Sequence, residues 1–433
     1  MFANIVLEKL QRFFRPVYNR SFVLQKIDCA IGVCIFGVIF LSLFAQSDNI
    51  GYFAILAVFF TTVKLVTKPD EKFLMSRADK FLLVYFVFVL ISLAGSSLFY
   101  LSLKGFFKTL TYIGFYISFI NYLKDNRYML RYIILALGLS ALSQVFVAIH
   151  QNFLSVSEIS GWQDMSRLNP EEVMTRVYGT LKPYNPNLFG GYMLSVLPAT
   201  LIAVFLPIKN RHYKTSIFGI ICFIMTASAI VMTGCRGAYI GLFFELILLT
   251  VLTYRILKPL YKRIFMFFTG IISALVFFFV VIIPRLRARV FSIFALRDDS
   301  SNSFRFNVYH SCIQMFKDNW LLGIGCGNQN FREIYGLYMK TGFDALSAYN
   351  IYLETAVESG IFALLSFLAF LYQTILQAVK YILKKHDIKS IYLIIAVVSL
   401  TGMLIHGFVD TVFFRPQIQF VFWIMVGIIR VLV

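Results

Sequence analysis

Charge is what this 433-residue sequence has least of. Asp, Glu, Lys and Arg together make up 14% of it, against the roughly one quarter that a soluble domain needs to cover its surface. Acidic groups are scarcer still, 21 against 40 basic ones. Cysteine occurs only six times, with no CxxC or comparable ligand spacing, which argues against a metal site or a disulfide framework. Cys312 and Cys326 fall in one loop, and their pairing is left open. No fixed-period repeat and no low-complexity segment is found.

What is there instead is apolar. Hydrophobic residues make up 59% of the chain, gathered in runs of the length that spans hydrocarbon as helix, about 18 residues or more. The runs do not alternate apolar with polar residues as barrel strands would. Helices are then what satisfies the backbone in lipid. Twelve spans are expected, at 27–46, 50–67, 81–103, 105–123, 128–150, 186–206, 213–233, 237–254, 263–284, 350–378, 390–410 and 416–432. The fold class is therefore an all-α integral membrane protein with about twelve transmembrane helices. A large, partly helical outer loop lies between spans nine and ten.

This divides the chain into four parts. Residues 1–26 are a basic amphipathic segment, read as an interfacial helix on the cytoplasmic surface rather than a cleavable leader. Residues 27–284 hold spans one to nine, with an outer loop at 151–185. Residues 285–349 are the large outer loop, and 350–433 hold spans ten to twelve. The basic residues fix an orientation. Lys68, Lys72, Arg77 and Lys80 fill one short connection, Lys124, Arg127 and Arg131 another, and Lys380, Lys384, Lys385 and Lys389 a third, while Ser47-Asp48-Asn49 on the other side carries no cation. The positive-inside rule then places both termini in the cytoplasm. The net charge of +19 is a topological signal, and nucleic acid is excluded as its partner.

The chemistry gathers at the opposite face. The first outer loop brings Arg176 and ends in Asn185-Pro186-Asn187, a turn that starts span six and either caps it or floors a headgroup site. Arg236, between Gly234 and Gly237, stands at the interface between spans seven and eight. It either snorkels or grips an outer-leaflet phosphate in a guanidinium fork. Arg305 opens an amphipathic run capped by Asn302 and Ser303. Gly323, Gly325 and Gly327 lack the preceding strand and the GKS/T ending of a nucleotide loop, so they read as a tight turn. Asn350, Glu354 and Glu358 recur every four residues and share one face of span ten. That pattern suits either a polar cavity or an ion pair with a loop arginine. His406 and Asp410 are likewise four apart at the end of span eleven, with Arg415 following. They read as a proton-handling pair or as a capped helix end tied by Asp–Arg.

In this order the segments resemble the O-antigen ligase and polymerase family. The resemblance rests on Arg236-Gly237-Ala238, the long outer loop, Gly323-Ile-Gly325-Cys-Gly327-Asn328 with Phe331, and Ser347 to Gly360. Gly179-Thr-Leu, Asn185-Pro-Asn187 and Asp410-Thr-Val-Phe-Phe-Arg415-Pro416 look like the cyanobacterial branch labelled inorganic carbon (bicarbonate) transport proteins. The resemblance implies transfer or polymerisation of a glycan from a polyprenyl diphosphate carrier at the outer face of the cytoplasmic membrane, without cofactor, metal or nucleotide sugar. It implies Arg236 and Arg305 as diphosphate ligands. The ligases place a His before the Asn of the loop-to-span-ten junction; here that position is Tyr349, a poor base with a pKa near about 10. Glu354, Glu358 and His406 are then the candidate bases. Arg176, Arg236, Arg305, Tyr349, Asn350, Asp410 and Arg415 are the candidate substrate-binding residues. A bicarbonate transporter and a non-catalytic carrier-lipid-binding protein are the competing functions. The orientation has its own test: a reporter active only outside the cytoplasm should be active when inserted at 47–49 or after Gly327, and silent after Lys72 or Lys385. The reverse pattern would overturn it.

Overall fold

The computed structural model describes residues 2–72, 75–153, 176–209, 212–296 and 299–433, the side chains of 2–4 and 206–209 excepted. Most of the first outer loop, Arg211, and the Arg297-Asp298 pair lie outside the described residues. Each expected span coincides with helix. The order is α1 (Phe2–Arg20), α2 (Phe22–Gln25), α3 (Ile27–Leu41), α4 (Ser47–Thr67), α5 (Arg77–Ile91), α6 (Phe99–Asp125), α7 (Met129–Asn152), α8 (Pro186–Val196), α9 (Ile202–Lys209), α10 (Tyr213–Met232), α11 (Arg236–Ile256) and α12 (Pro259–Ile282). Then follow α13 (Pro284–Phe291), α14 (Ser300–Asp318) and α15 (Asn328–Tyr335) in the large loop, and α16 (Ile351–Lys384), α17 (Ile388–His406) and α18 (Pro416–Leu432). Among the described residues, nine helical stretches are long and apolar enough to cross a membrane, with α3 and α18 shorter and α6 interrupted by charge.

Burial sorts the helices in a way hydropathy does not. The stretch Pro186–Phe205 is 89% buried across its apolar window, whereas α12, the more hydropathic of the two, is 0% buried. In lipid, apolar side chains gain nothing by leaving the bilayer for a protein neighbour, so small residues decide which helices pack closely. Gly190, Gly191 and Ser195 give α8 a thin surface against α11 and α17. The phenylalanines of α12 point outward instead.

One boundary moves. The break expected near residue 104 lies earlier, in a 3-10 turn at Ser92–Gly95, so Lys104 and Lys108 ride inside α6. Gly105 is a contact point: a Cβ there would strike the Cys326 carbonyl. Helix α14 is capped by Asp299, whose carboxylate accepts from Asn302 N–H at 2.9 Å, not by Asn302 or Ser303. All six cysteines are free thiols, so Cys312 and Cys326 do not pair.

The basic end of the bundle is clamped by ions. Lys64, fully buried, meets Asp28 at 2.7 Å and Asp125 at 2.9 Å, joining α3, α4 and α6. Lys68 and Lys124 hold Glu71 at 3.0 and 2.6 Å. Burial alone would raise the Glu71 pKa, yet these two lysines bring it below the usual carboxylate range. Helix α1 docks on this end, Gln11 Nε2 donating to the Leu65 and Glu71 carbonyls at 2.8 Å each. Removing a partner from a buried pair leaves charge uncompensated. Lys64→Met is therefore expected to cost about 3 kcal/mol, the low end for such a change, because Asp28 and Asp125 keep some solvent. Thermal unfolding in detergent measures it, and an unchanged midpoint would show that the cluster contributes nothing.

Candidate functional site

At the end opposite the ion clamp, the chain forms a cleft of about 280 Å³ lined by Lys108, Arg176, Asn187, Ser301, Arg305, Tyr349, Glu354, Asp410 and Arg415, among others. These come from α6, the segment before α8, α8 itself, α14, the start of α16 and the turn between α17 and α18. Nothing within any one element brings them together.

Asp410 is the hub. Helix α17 ends at His406 and the chain turns over Gly407 to Asp410, so the carboxylate lies past the helix end. Its Oδ2 accepts from Asn187 Nδ2 at 2.9 Å, and its Oδ1 from Val412 N–H at 3.1 Å. Arg305 Nη2 stands 3.7 Å from the same Oδ2. Asn187 in turn accepts from Arg176 Nη2 at 2.6 Å, and Arg176 Nε donates to the Thr233 carbonyl at 2.9 Å. An amide thus bridges a guanidinium and a carboxylate, with each polar atom matched to its donor or acceptor type.

Arg305 is held on three sides. Its Nη1 donates to Ser301 Oγ at 2.9 Å, its guanidinium carbon lies 5.5 Å from the Tyr349 ring centroid, and Asp410 faces its Nη2. Its Nε is buried without a hydrogen-bond partner among the described residues. Tyr349 adopts φ 50°, the left-handed region, which for a bulky residue costs of order 1–2 kcal/mol. The surroundings fix it: Tyr309 Oη donates to its carbonyl at 3.1 Å, and Asn350 caps α16 right after it, accepting from Tyr352 and Leu353 N–H. Burial, and then the nearby Asp410 charge, raise the Tyr349 pKa above the ordinary phenol value. The phenol therefore stays protonated at neutral pH.

Glu354 faces the cleft from the first turn of α16, its Oε2 accepting from Ala348 N–H at 2.8 Å. Glu354 and Glu358 together line an adjoining cavity of about 90 Å³ that also contains Lys108. Both glutamates sit on a short segment before a kink at Gly360, where φ is +79°. A Cβ at Gly360 would collide with the Leu321 carbonyl, so the glycine is required twice, by conformation and by contact. The turn that meets this segment is the glycine series itself: Gly323, Gly325 and Gly327 all have positive φ, and Ile324 and Gly325 N–H donate to the Val357 and Glu358 carbonyls at 3.0 Å each.

Three sequence candidates are placed elsewhere. Arg236 does not line the cleft; its Nη1 pairs with Asp299 Oδ1 at 2.8 Å and reaches Ser292. Arg289 crowds beside it, donating to the Gly234 carbonyl at 2.6 Å. Burial, then the charges of Arg176 and Arg236, lower the Arg289 pKa to about 10. His406 does not pair with Asp410. It is buried in a slot between Gly191 and Gly237, its Nε2 3.6 Å from Cys235 Sγ. Asn350 is spent on capping, and its Nδ2 donates to the Phe408 carbonyl at 3.0 Å. Lys108 was not among the sequence candidates; it falls inside the expected span 105–123. Its spacing from Lys104, one helical turn, was the available signal.

Residues 220–368 match the family model described as O-antigen ligase. That segment is similar to O-antigen ligases. The matched segment contains Arg236, Arg305, Tyr349, Glu354 and Glu358, but Lys108, Arg176, Asp410 and Arg415 lie outside it. No curated protein matches the chain.

Two outcomes follow from this geometry. Asp410→Asn keeps the shape and removes the carboxylate that faces Arg305, so binding of inorganic diphosphate should tighten by about tenfold, a gain of about 1.4 kcal/mol, in titration calorimetry. Weaker binding would mean that Asp410 serves the anion by holding Arg305 in place. Gly360→Ala should displace the segment bearing Glu354 and lower the thermal midpoint; a variant as stable as the native chain would contradict the tight packing against Leu321.

Proposed function

We propose that this O-antigen ligase-like protein transfers a glycan from a polyprenyl diphosphate carrier to an acceptor hydroxyl at the outer face of the membrane. The observation that carries this reading is the convergence of Lys108, Arg305 and Arg415 on one cleft with the carboxylate of Glu354. Cations in a site of restricted water stabilise developing negative charge far better than they would in bulk. A diphosphate leaving group develops that charge as it departs.

The step balances without metal or nucleotide. Glu354 accepts the proton of the acceptor hydroxyl as its oxygen attacks the anomeric carbon of the donor glycan. The bond from that carbon to the phosphate oxygen breaks with inversion. Its electron pair leaves on the carrier diphosphate, held by Arg305, Arg415 and Lys108. Tyr349 is not the base, because its phenol is protonated at neutral pH. Its ring instead orients Arg305 from below, a cation–π contact of the kind worth about 0.5–2 kcal/mol. Glu358 lines the adjoining cavity with Glu354 and Lys108 and adds negative charge there.

Arg305→Ala should lower transfer by about 10²- to 10³-fold, the range for removing one preorganised charge donor, with Arg415→Ala in the same direction. The measure is the length distribution of surface glycans, and transfer by the purified protein from a lipid-linked donor. Native glycans in both variants would sink the reading, and protein-dependent bicarbonate uptake into liposomes would favour transport in its place. Tyr349→Phe should leave the pH–rate profile unchanged between about pH 6 and 9, since the phenol does not ionise there; a shifted limb would return Tyr349 to the proton path.

A further inference from the structure

Besides the cleft, Lys108 and Arg415 line a cavity of about 600 Å³ together with Ser47, Asp48, Tyr52, Lys104 and Gln329. A neighbouring cavity, about 700 Å³, is lined by Phe44, Gln46, Asn49, Tyr52 and Lys182. Tyr52, 61% exposed on α4, belongs to both, so the two make one trough around the first turns of that helix. Each has the volume of a small-molecule site. Lys182 is tied to the Arg415 side, because its carbonyl accepts from Gln417 Nε2 at 2.8 Å.

The lining has a definite chemistry. Exposed side chains at Gln46, Asp48, Asn49 and Gln329 make no hydrogen bond among the described residues. Beside them stand the exposed rings of Phe44 and Tyr52. A pyranose packs its C–H face on such a ring, while its hydroxyls take amide and carboxylate partners. The charge is one-sided as well. Lys104, Lys108, Lys182 and Arg415 meet no carboxylate within ion-pair distance among the described residues, and Asp48 is the one acidic residue lining either cavity. On the orientation that the basic connections give, this end should be poor in Lys and Arg. Its uncompensated cations therefore call for an anion from outside the chain.

We propose that the trough binds an acidic oligosaccharide, and that the glycan acceptor is accordingly a polyanion built of sugar acids. Amides and ring faces spread over two cavities match a short chain of sugars, and the lysines match carboxylates on it. Calling this glycan the acceptor rests on the transfer reading above. Lys108 and Asn328 line both the trough and the cleft. A chain lying in the trough thus presents its terminal hydroxyl toward Glu354, while the diphosphate stays on Arg305 in the cleft. Preference for acidic over neutral acceptors is then set by Lys104 and Lys182, which lie outside residues 220–368.

The full chain in phosphatidylcholine nanodiscs is titrated with hexagalacturonate, with its methyl ester, which keeps the sugars and removes the charge, and with inorganic diphosphate. The acid should bind about tenfold tighter than the ester. Lys104→Gln combined with Lys182→Gln should weaken the acid by about fivefold or more and change diphosphate by less than about twofold. Tyr52→Ala should weaken acid and ester alike by about threefold, a test that stands even if the lysine pair fails to fold. Lys317→Gln combined with Lys340→Gln removes the same charge from the large loop and should change neither ligand. Acid and ester binding equally, or not at all, would overturn the trough. So would an equal loss from the Lys317 and Lys340 changes, which would mark diffuse attraction of a polyanion. A loss of diphosphate binding as large as that of the acid would put the two lysines in the service of the cleft and overturn it too. Acid-selective binding by a protein that transfers no glycan would uphold the trough while the transfer reading fell. Intact transfer that uses neutral and acidic acceptors alike would do the reverse.

Discussion

A single carboxylate, Asp410, ties together the end of the molecule where the chemistry gathers. Through Asn187 it reaches Arg176, directly it faces Arg305, and through Val412 it fixes the turn that delivers Arg415. The loop before α8, helix α14 and the link from α17 to α18 each give this one anion a partner. A buried charge with matched partners is costly to disturb, since any one removed leaves the rest uncompensated. That makes the cleft a preorganised array rather than a set of solvated loop charges.

The opposite end uses the same physics for a different purpose. Lys64 joins α3, α4 and α6, and Asp79 is satisfied by Tyr116 at 2.7 Å and Arg430 at 3.1 Å. These clusters are closed: cation and anion are matched and packed. At the site end the cations outnumber the anions, and three cavities meet at Lys108. An excess of one sign beside open volume is what separates a binding arrangement from a structural one. Arg236 pairs with Asp299 and is not among the residues that line the cleft.

Helix α16 links scaffold to site. Its kink at Gly360 and the glycine turn at 323–327 interlock, the turn donating to the carbonyls of Val357 and Glu358. The two glutamates are therefore set by backbone contacts in the large loop. The O-antigen ligase match spans this interlocked unit. Lys108 and the Asp410 hub come from sequence outside it, so the matched segment alone does not complete the cleft.

The sequence by itself determined the helical membrane class and the run of apolar segments, because hydrocarbon admits few ways of satisfying a backbone. It also marked the end of the bundle where Arg305, Glu354, Asp410 and Arg415 lie, since charge there had to sit beyond the apolar runs. It did not determine which of those charges meet. Arg236 and Arg305 look alike in sequence, yet one is neutralised by Asp299 and the other faces a cavity. His406 and Asp410 have the spacing of a shared face, yet the helix ends between them. Lys108 was absorbed into an expected span, yet it lines three cavities. Pairing depends on residues hundreds of positions apart, such as Asn187 with Asp410, and only close helix packing through small residues decides it.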